Sequence, residues 1–124
     1  MRTRTLVLLD WPPAALSPNA RGHWSKRAKA AKKYRKDCYA LAKIEKLGVD
    51  WDGPVHLYVT FFPPDRRNRD DDNLVASFKS GRDGIADALG IDDKRFVLHP
   101  IVFEETRPGG RVVVMLSRAV RALK

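Results

Sequence analysis

The stretch that decides the fold is VHLYVTFFPPDRRNRDDDNL, residues 55–74. Its first eight residues alternate between two sets of side chains, which is typical of a strand with one buried face. The two sets are Val55, Leu57, Val59 and Phe61, and His56, Tyr58, Thr60 and Phe62. Pro63 and Pro64 cannot continue a hydrogen-bonded ladder, so the strand is expected to end there. An arginine-rich run and three aspartates follow before the chain enters a helix.

On the N-terminal side of this stretch, the sequence predicts a strand over residues 5–10, a loop over 14–23 and a helix over 25–47. Trp11-Pro12-Pro13 stops the first strand. Ser25 is the expected N-cap of the helix, because a serine hydroxyl can accept from a free backbone N–H. The predicted core face of this helix carries Ala31, Tyr34, Cys38, Leu41, Ala42 and Glu45.

On the C-terminal side, a second helix is predicted from about residue 72 to residue 89, with Gly90 at its C′ position. Its apolar stripe consists of Leu74, Phe78, Ile85 and Leu89. Gly81 and Gly84 lie inside this helix, although each costs roughly 1 kcal/mol relative to alanine. We therefore expect either close packing against these glycines or a bend in the helix.

Two further strands, residues 96–105 and 111–117, complete the pattern, and Arg107-Pro108-Gly109-Gly110 predicts a hairpin turn between them. The order of elements is β-α-β-α-β-β. This order indicates one α+β (mixed α/β) domain over residues 1–124, in which two helices pack on a mixed four-stranded sheet.

The charges are segregated along the chain. The formal net charge is +9 and the pI is near 10.1, as expected of a protein that binds nucleic acid. Eight Lys or Arg and no acid lie between residues 21 and 36, whereas eight of the fifteen acids lie between residues 65 and 93. This pattern favours a phosphate-binding patch beside an acidic metal site. The alternative for the basic helix is an ordinary solvated face.

Composition also argues against several classes of protein. Cys38 is the only cysteine, which excludes an intrachain disulfide or a cysteine-rich zinc site and fits a reducing cytoplasm. The N-terminus has too short an apolar run for a signal peptide, and no segment reaches the roughly 20 apolar residues of a membrane span. The three histidines, His23, His56 and His99, fall in unrelated segments, which argues against a histidine zinc site.

Three consecutive aspartates repel one another, and a divalent cation would relieve that repulsion. In an extended segment Asp70 and Asp72 point to one face, so they could share an ion while Asp71 points away. Two other interpretations stay open: Asp71 or Asp72 caps the following helix, or the block is a solvated charge run. Lys79 could neutralise charge on a phosphorus transition state, or it is an ordinary exposed lysine.

Three stretches together suggest a family. They are Trp11-Pro12-Pro13 with Ser17-Pro18-Asn19 and Tyr34-Arg35; Pro64-Asp65-Arg66-Arg67 with Asp70-Asp71-Asp72-Asn73-Leu74; and Lys79, Asp83-Gly84, Asp92-Asp93 and Gly109-Gly110-Arg111. In these stretches the chain resembles the RusA family of Holliday-junction resolvases over almost its whole length. The arginine run into Asp-x-Asp-Asn-Leu, followed later by an Asp-Asp pair, is the specific part of the likeness.

The resemblance implies a homodimeric endonuclease, dependent on Mg²⁺ (or Mn²⁺), that cuts branched double-stranded DNA symmetrically. It implies Asp70, Asp72 and Asp93 as catalytic metal ligands, with Asp92 as the alternative to Asp93 and Asn73 in support. The catalytic lysine falls on Ala76 when counted forward from Asp72 and on Lys79 when counted back from Asp83; we take Lys79. The residues expected to hold the DNA arms are Asn19, Arg21, Lys26, Arg27, Lys29, Lys33, Arg66, Arg67 and Arg69.

One unbroken second helix would be roughly 25 Å long, which would keep Asp72 apart from Asp93 within one chain. Either the helix breaks near Gly81 or Gly84, or a two-fold dimer sets the two copies of this helix antiparallel and shares each site between chains. We hypothesise the shared site.

Together with this resemblance, the sequence predicts a cytoplasmic, bacterial or prophage-encoded enzyme, and the resemblance implies that it hydrolyses phosphodiesters in four-way DNA junctions. Two rivals stay open. The first is a non-catalytic DNA- or RNA-binding module in which the aspartates form caps and turns. The second is a metal-dependent phosphodiesterase that acts on small nucleotides.

Overall fold

A computed structural model of the chain describes residues 5–67 and 69–120, and its elements follow the predicted order. The strands are β1 (Leu6–Asp10), β2 (Val55–Phe62), β3 (Phe96–Val102) and β4 (Arg111–Ser117), and the helices are α1 (Trp24–Ile44), α2 (Asp71–Ser77) and α3 (Lys79–Leu89). Short 3₁₀ turns cover Ala14–Leu16 and Asp93–Arg95. The α+β class and the mixed four-stranded sheet are confirmed.

The sheet has the strand order β1-β4-β2-β3. β2 pairs with β3 in parallel, and β4 lies antiparallel between β1 and β2. The predicted hairpin between β3 and β4 is therefore wrong, although Gly110 N–H does donate to the Arg107 carbonyl at 2.8 Å in a turn. The helical crossover places β3 on one side of β2, so β4 takes the other side.

The buried face of the sheet is the one that the alternation in β2 predicts. Val55, Leu57, Val59 and Phe61 are buried beneath the helices. In α1 the buried residues are Tyr34, Cys38 and Ala42, which are three of the six predicted core positions, and the other three, Ala31, Leu41 and Glu45, are half-buried. Burial raises the pKa of the Cys38 thiol to about 12, so this cysteine is a small apolar core residue.

The helix boundaries differ from the prediction at the start of α1. Its N-cap is His23 and not Ser25, because the imidazole Nδ1 of His23 accepts from the Ser25 backbone N–H at 3.2 Å. The Ser25 hydroxyl instead lies 2.7 Å from the same nitrogen. The serine therefore fixes the ring that caps the helix.

The predicted second helix is two helices, and the break lies at Phe78 and not at a glycine. Phe78 ends α2 and precedes α3, and its buried ring meets the rings of Tyr34 and Phe61 edge to face. The glycines are instead sites of close packing. A Cβ on Gly81 would lie 2.7 Å from the Tyr34 ring, and one on Gly84 would overlap the Arg35 carbonyl oxygen.

Gly90 ends α3 in the left-handed conformation, with φ +67°, as the sequence predicts. The Arg35 guanidinium donates to both carboxylate oxygens of Asp87, at 2.7 and 2.9 Å, and so links α1 to α3. Within residues 5–67 and 69–120, no helix has the length and hydropathy of a membrane span.

Candidate nucleic-acid cleavage site

Two of the three family-like stretches meet around one open cleft of about 510 Å³. One wall comes from the loop after β1 and the other from the segment that joins β2 to α2. The lining residues are Trp11, Pro12, Pro13, Ala14, Ser17, Asn19, Pro64, Arg67, Arg69, Asp70, Asn73, Leu74 and Ser77. Asp70 is the one acidic residue among the described residues that line this cleft.

The first wall is fixed from beneath by the core and by α1. The Trp11 ring contacts Phe61 edge to face, with the ring centres 6.1 Å apart. Tyr34 Oη donates to the Asp10 carbonyl at 2.6 Å, and Arg27 donates to the Ser17 carbonyl at 3.1 Å. The cleft wall therefore has a defined shape. Arg27, predicted to bind DNA, also has this structural role.

The second wall is organised by Arg69. Its guanidinium donates to the carbonyls of Asp65 and Arg67, both at 3.0 Å, and to the Asp65 carboxylate at 2.8 Å. The backbone N–H of Arg67 and then the Arg69 guanidinium lower the pKa of Asp65. With only 15% of its side chain exposed, Arg69 shapes the loop, whereas Arg66 and Arg67 are exposed to solvent.

Asp70 is the N-cap of α2. Its Oδ1 accepts from the Asp72 backbone N–H at 2.8 Å, so the expectation that Asp71 or Asp72 caps the helix is wrong. Asp71 and Asp72 occupy the first turn, where the helix dipole favours negative charge. Asp70 thus combines a structural hydrogen bond with a position on the cleft, and Asn73 lies beside it in the same lining.

Asp93 lies at the opposite end of the sheet. The parallel register pairs Val55 with Phe96, so Asp93 sits near the start of β2, whereas Asp70 follows its end. The seven steps from Val55 to Phe62 span about 23 Å at 3.3 Å per residue. Across the described ranges, no group of three or more His, Cys, Asp or Glu residues could hold a metal ion. One chain therefore does not bring the three predicted aspartates together.

The two members of the late acidic pair differ in structural role. The Asp92 carboxylate accepts from the Lys94 backbone N–H at 2.9 Å, and this bond is the main cause of its lowered pKa. Asp92 therefore caps the 3₁₀ turn, while Asp93 is the first residue within it. Asp70 makes the same kind of bond and is retained as a candidate, so the choice of Asp93 over Asp92 comes from the resemblance and not from the cap.

Lys79 does not line the cleft that holds Asp70. It begins α3, and its Nζ lies 3.5 Å from both carboxylate oxygens of Asp83. It instead lines a separate cavity of about 120 Å³ with Val75, Ala76, Phe78, Arg82 and Leu98. Within one chain, the predicted catalytic lysine and Asp70 thus face different spaces.

The basic surface adjoins the cleft. Arg21, Lys26, Arg27 and Lys29 are all exposed on the N-terminal approach and first turns of α1. The first three line a second groove of about 390 Å³, which shares the lining residue Ala14 with the Asp70 cleft. Farther along the helix, Lys33 pairs with Asp37 at 2.8 Å. Arg2 and Arg4 lie outside the described residues.

The sequence analysis missed a contact between two histidines. His56 Nδ1 lies 2.9 Å from His99 Nε2, and the Tyr58 ring stacks on His99. His56 and His99 lie in separate segments of the sequence, but β2 and β3 are parallel neighbours that pair Tyr58 with His99, and this pairing brings the two imidazole rings together. Predicting the strand order would have revealed the pair.

The cleft, the acidic cap and the basic surface can be compared with known proteins. No family model matches the chain. An uncharacterized protein of the bacterium Xylella fastidiosa is 47% identical over 114 residues, and the alignment covers 90% of this chain and 74% of that protein. Identity at this level over most of both chains implies the same fold. The chain therefore belongs to the same protein family as this Xylella fastidiosa protein.

Proposed function

We propose that the protein is a structure-selective, metal-dependent DNA endonuclease that resolves four-way junctions, as its resemblance to RusA proteins implies. The single observation that supports this most strongly is the cleft around Asp70. Residues from two distant motif stretches meet there, and the exposed cations of α1 lie directly beside it. A backbone phosphate held by such cations would lie next to a carboxylate.

The carboxylates of Asp70 and Asp72 at the start of α2 do not complete a site for Mg²⁺ or Mn²⁺, because these ions prefer several oxygen ligands. We propose that Asp93 of the partner subunit completes it in a homodimer. A two-fold axis perpendicular to the strands places the Asp70 end of one sheet beside the Asp93 end of the other. The bound ion would polarise the scissile phosphate and lower the pKa of an attacking water.

The outer face of the sheet supports the dimer. Leu6 and Leu8 on β1 and Val97 on β3 are exposed there, and Phe103 follows β3. Leu8 is 57% exposed. An apolar face of this kind on a chain with a formal charge of +9 is a surface through which two copies can meet without opposing their charges.

The cations have divided roles in this proposal. Arg69 and Arg27 shape the two walls of the cleft through hydrogen bonds to backbone carbonyls. Arg66 and Arg67, which are exposed, would contact DNA phosphates together with Lys26 and Lys29. The bacterial relative and the single buried cysteine support a cytoplasmic location in a bacterium.

A second candidate is the non-catalytic nucleic-acid-binding module. One observation favours it: Asp70 and Asp92 both act as caps, so part of the acidic block has a structural explanation. This candidate would bind junctions without Mg²⁺ and never cut them.

The test is cleavage of a synthetic four-way junction and a linear duplex of matched sequence, each with and without Mg²⁺. The proposal expects paired nicks in the junction that need the metal, and little cutting of the duplex. Junction binding without any cutting would favour the binding module. Equal cutting of both substrates would remove the claim of structure selectivity.

A further inference from the structure

The most exposed large apolar side chain among the described residues is Trp24, which is 74% exposed at the first position of α1. The other two tryptophans have partners. Trp51 Nε1 donates to the Pro54 carbonyl at 3.0 Å, and Trp11 packs on Phe61. An indole has a large apolar face, so leaving it in water forgoes the stabilisation that burial would give.

Trp24 has a ring neighbour in the groove. Its ring lies beside the His23 ring, with centres 5.4 Å apart and planes tilted by 34°. His23 is itself fixed, because its Nδ1 lies 2.7 Å from Ser25 Oγ while accepting from the Ser25 backbone N–H. This contact restrains the Trp24 ring in part, which lowers the conformational entropy that it loses when a ligand stacks on it.

The surroundings of Trp24 are cationic. It lines the groove of about 390 Å³ that Arg21, Lys26 and Arg27 also line, and none of the described lining residues is acidic. Cations beside an exposed aromatic face match the two parts of a nucleotide, since the phosphate pairs with the cations and the base stacks on the ring. An apolar protein surface would match the indole but not the three positive charges.

We infer that Trp24 is a stacking platform for a nucleobase that has lost a stacking neighbour and so contributes the preference for branched DNA; this rests on the proposed function. Inside a duplex both faces of each base are covered by neighbours, so the indole can stack only where a base face is uncovered, at a branch point, a nick or a single strand. This groove shares the lining residue Ala14 with the Asp70 cleft, so a strand whose base stacks on Trp24 would pass close to the candidate cleavage site.

The experiment measures binding in EDTA, where cutting does not interfere. The affinities of the wild type, Trp24→Ala and Trp24→Phe are compared on a four-way junction, a single strand and a linear duplex. Ile44→Ala is the matched control, because Ile44 is 71% exposed on the same helix but lies at its other end. Urea unfolding and sizing by gel filtration accompany each variant.

Trp24→Ala should weaken junction and single-strand binding about five-fold or more, and duplex binding less than about two-fold, because stacking is lost only where a base is free. Trp24→Phe should retain most of the preference, and Ile44→Ala all of it. An equal loss on all three DNAs, or no loss, would overturn the inference. A change in oligomeric state would assign Trp24 to a protein interface instead.

If the wild type binds no DNA, the proposed function fails as well; if it binds junctions without cutting them, only the nuclease proposal fails.

Discussion

The Asp70 carboxylate accepts a hydrogen bond from the backbone N–H of Asp72 at 2.8 Å while lying on the wall of the cleft. An ionised carboxylate has about four lone-pair sites, so one capping bond leaves others for a cation. The structural and catalytic interpretations of Asp70 are therefore compatible, and substitutions can separate them.

Asp70→Asn should keep the cap, since asparagine caps as well as aspartate, and should abolish Mg²⁺-dependent cutting because the charge is lost. Asp70→Ala should lose both, with a decrease of about 1 kcal/mol in the free energy of unfolding. Urea unfolding and junction cleavage measure the two effects. Asp71→Asn is the control and should keep near-normal cutting. Full activity in Asp70→Asn would exclude Asp70 as a ligand.

Lys33→Gln should weaken binding to junction and duplex alike, because a phosphate contact carries no sequence or branch information. The slope of the logarithm of the DNA association constant against the logarithm of the salt concentration should become shallower by about one. The measurement is a salt titration of binding in EDTA. Lys43→Gln, in the last turn of α1 beside the Tyr39 ring, is the matched control. An unchanged slope for Lys33→Gln would show that Asp37 keeps this lysine from phosphate.

Gly84→Ala should destabilise the fold by about 1–3 kcal/mol, although alanine favours helices, because the new methyl would overlap the Arg35 carbonyl oxygen. Equilibrium unfolding in urea measures the loss. Lys36→Ala, an exposed site on α1, should change stability by less than about 0.5 kcal/mol. A Gly84→Ala variant as stable as the wild type would show that α1 and α3 can separate at no cost.

The Arg35–Asp87 pair gives a pH dependence with a defined sign. Hydrogen bonds from Arg35 lower the pKa of Asp87 in the folded protein. The contribution of the pair to the free energy of unfolding is therefore fully present above the ordinary carboxyl pKa of about 3.9. It is lost as pH falls through the lower pKa of the folded state. The pair is half exposed, so Asp87→Asn should cost less than about 1 kcal/mol at pH 7.

The difference in unfolding free energy between wild type and Asp87→Asn should therefore shrink as pH falls below about 3.9. Unfolding in urea across this range tests it, with Glu104→Gln as an exposed control. A difference that stays constant with pH would mean that the pair does not bias the protonation of Asp87.

Local patterns predicted the elements well and their partners less well. The alternation from Val55 to Phe62 gives that strand and its buried face, because the period of two is a property of the strand itself. The prediction of a hairpin between β3 and β4 was wrong, because which strand lies beside another depends on the whole sheet. The same failure hid the contact between His56 and His99.

The candidate site shows the same division. The sequence identified the acidic block and the loop after β1, and the structure brings them to one cleft. The sequence could not show which aspartate caps, since Asp70, Asp71 and Asp72 all suit that role. Nor could it place Asp93, whose position at the far end of the sheet follows from the parallel pairing of β2 and β3. Trp24 has no local signal that distinguishes it from a core aromatic.

The most direct test of the central claim is complementation between two inactive variants, measured as the rate of Mg²⁺-dependent nicking of a four-way junction. Asp72→Asn and Asp93→Asn should each be inactive alone although the wild type cuts. In a mixed dimer, one site takes its intact aspartates from both chains, so the mixture should nick the junction. A mixture as inactive as either variant, with mixed dimers shown to form, would contradict the shared site, and a wild type that cuts no junction with Mg²⁺ would contradict the nuclease itself.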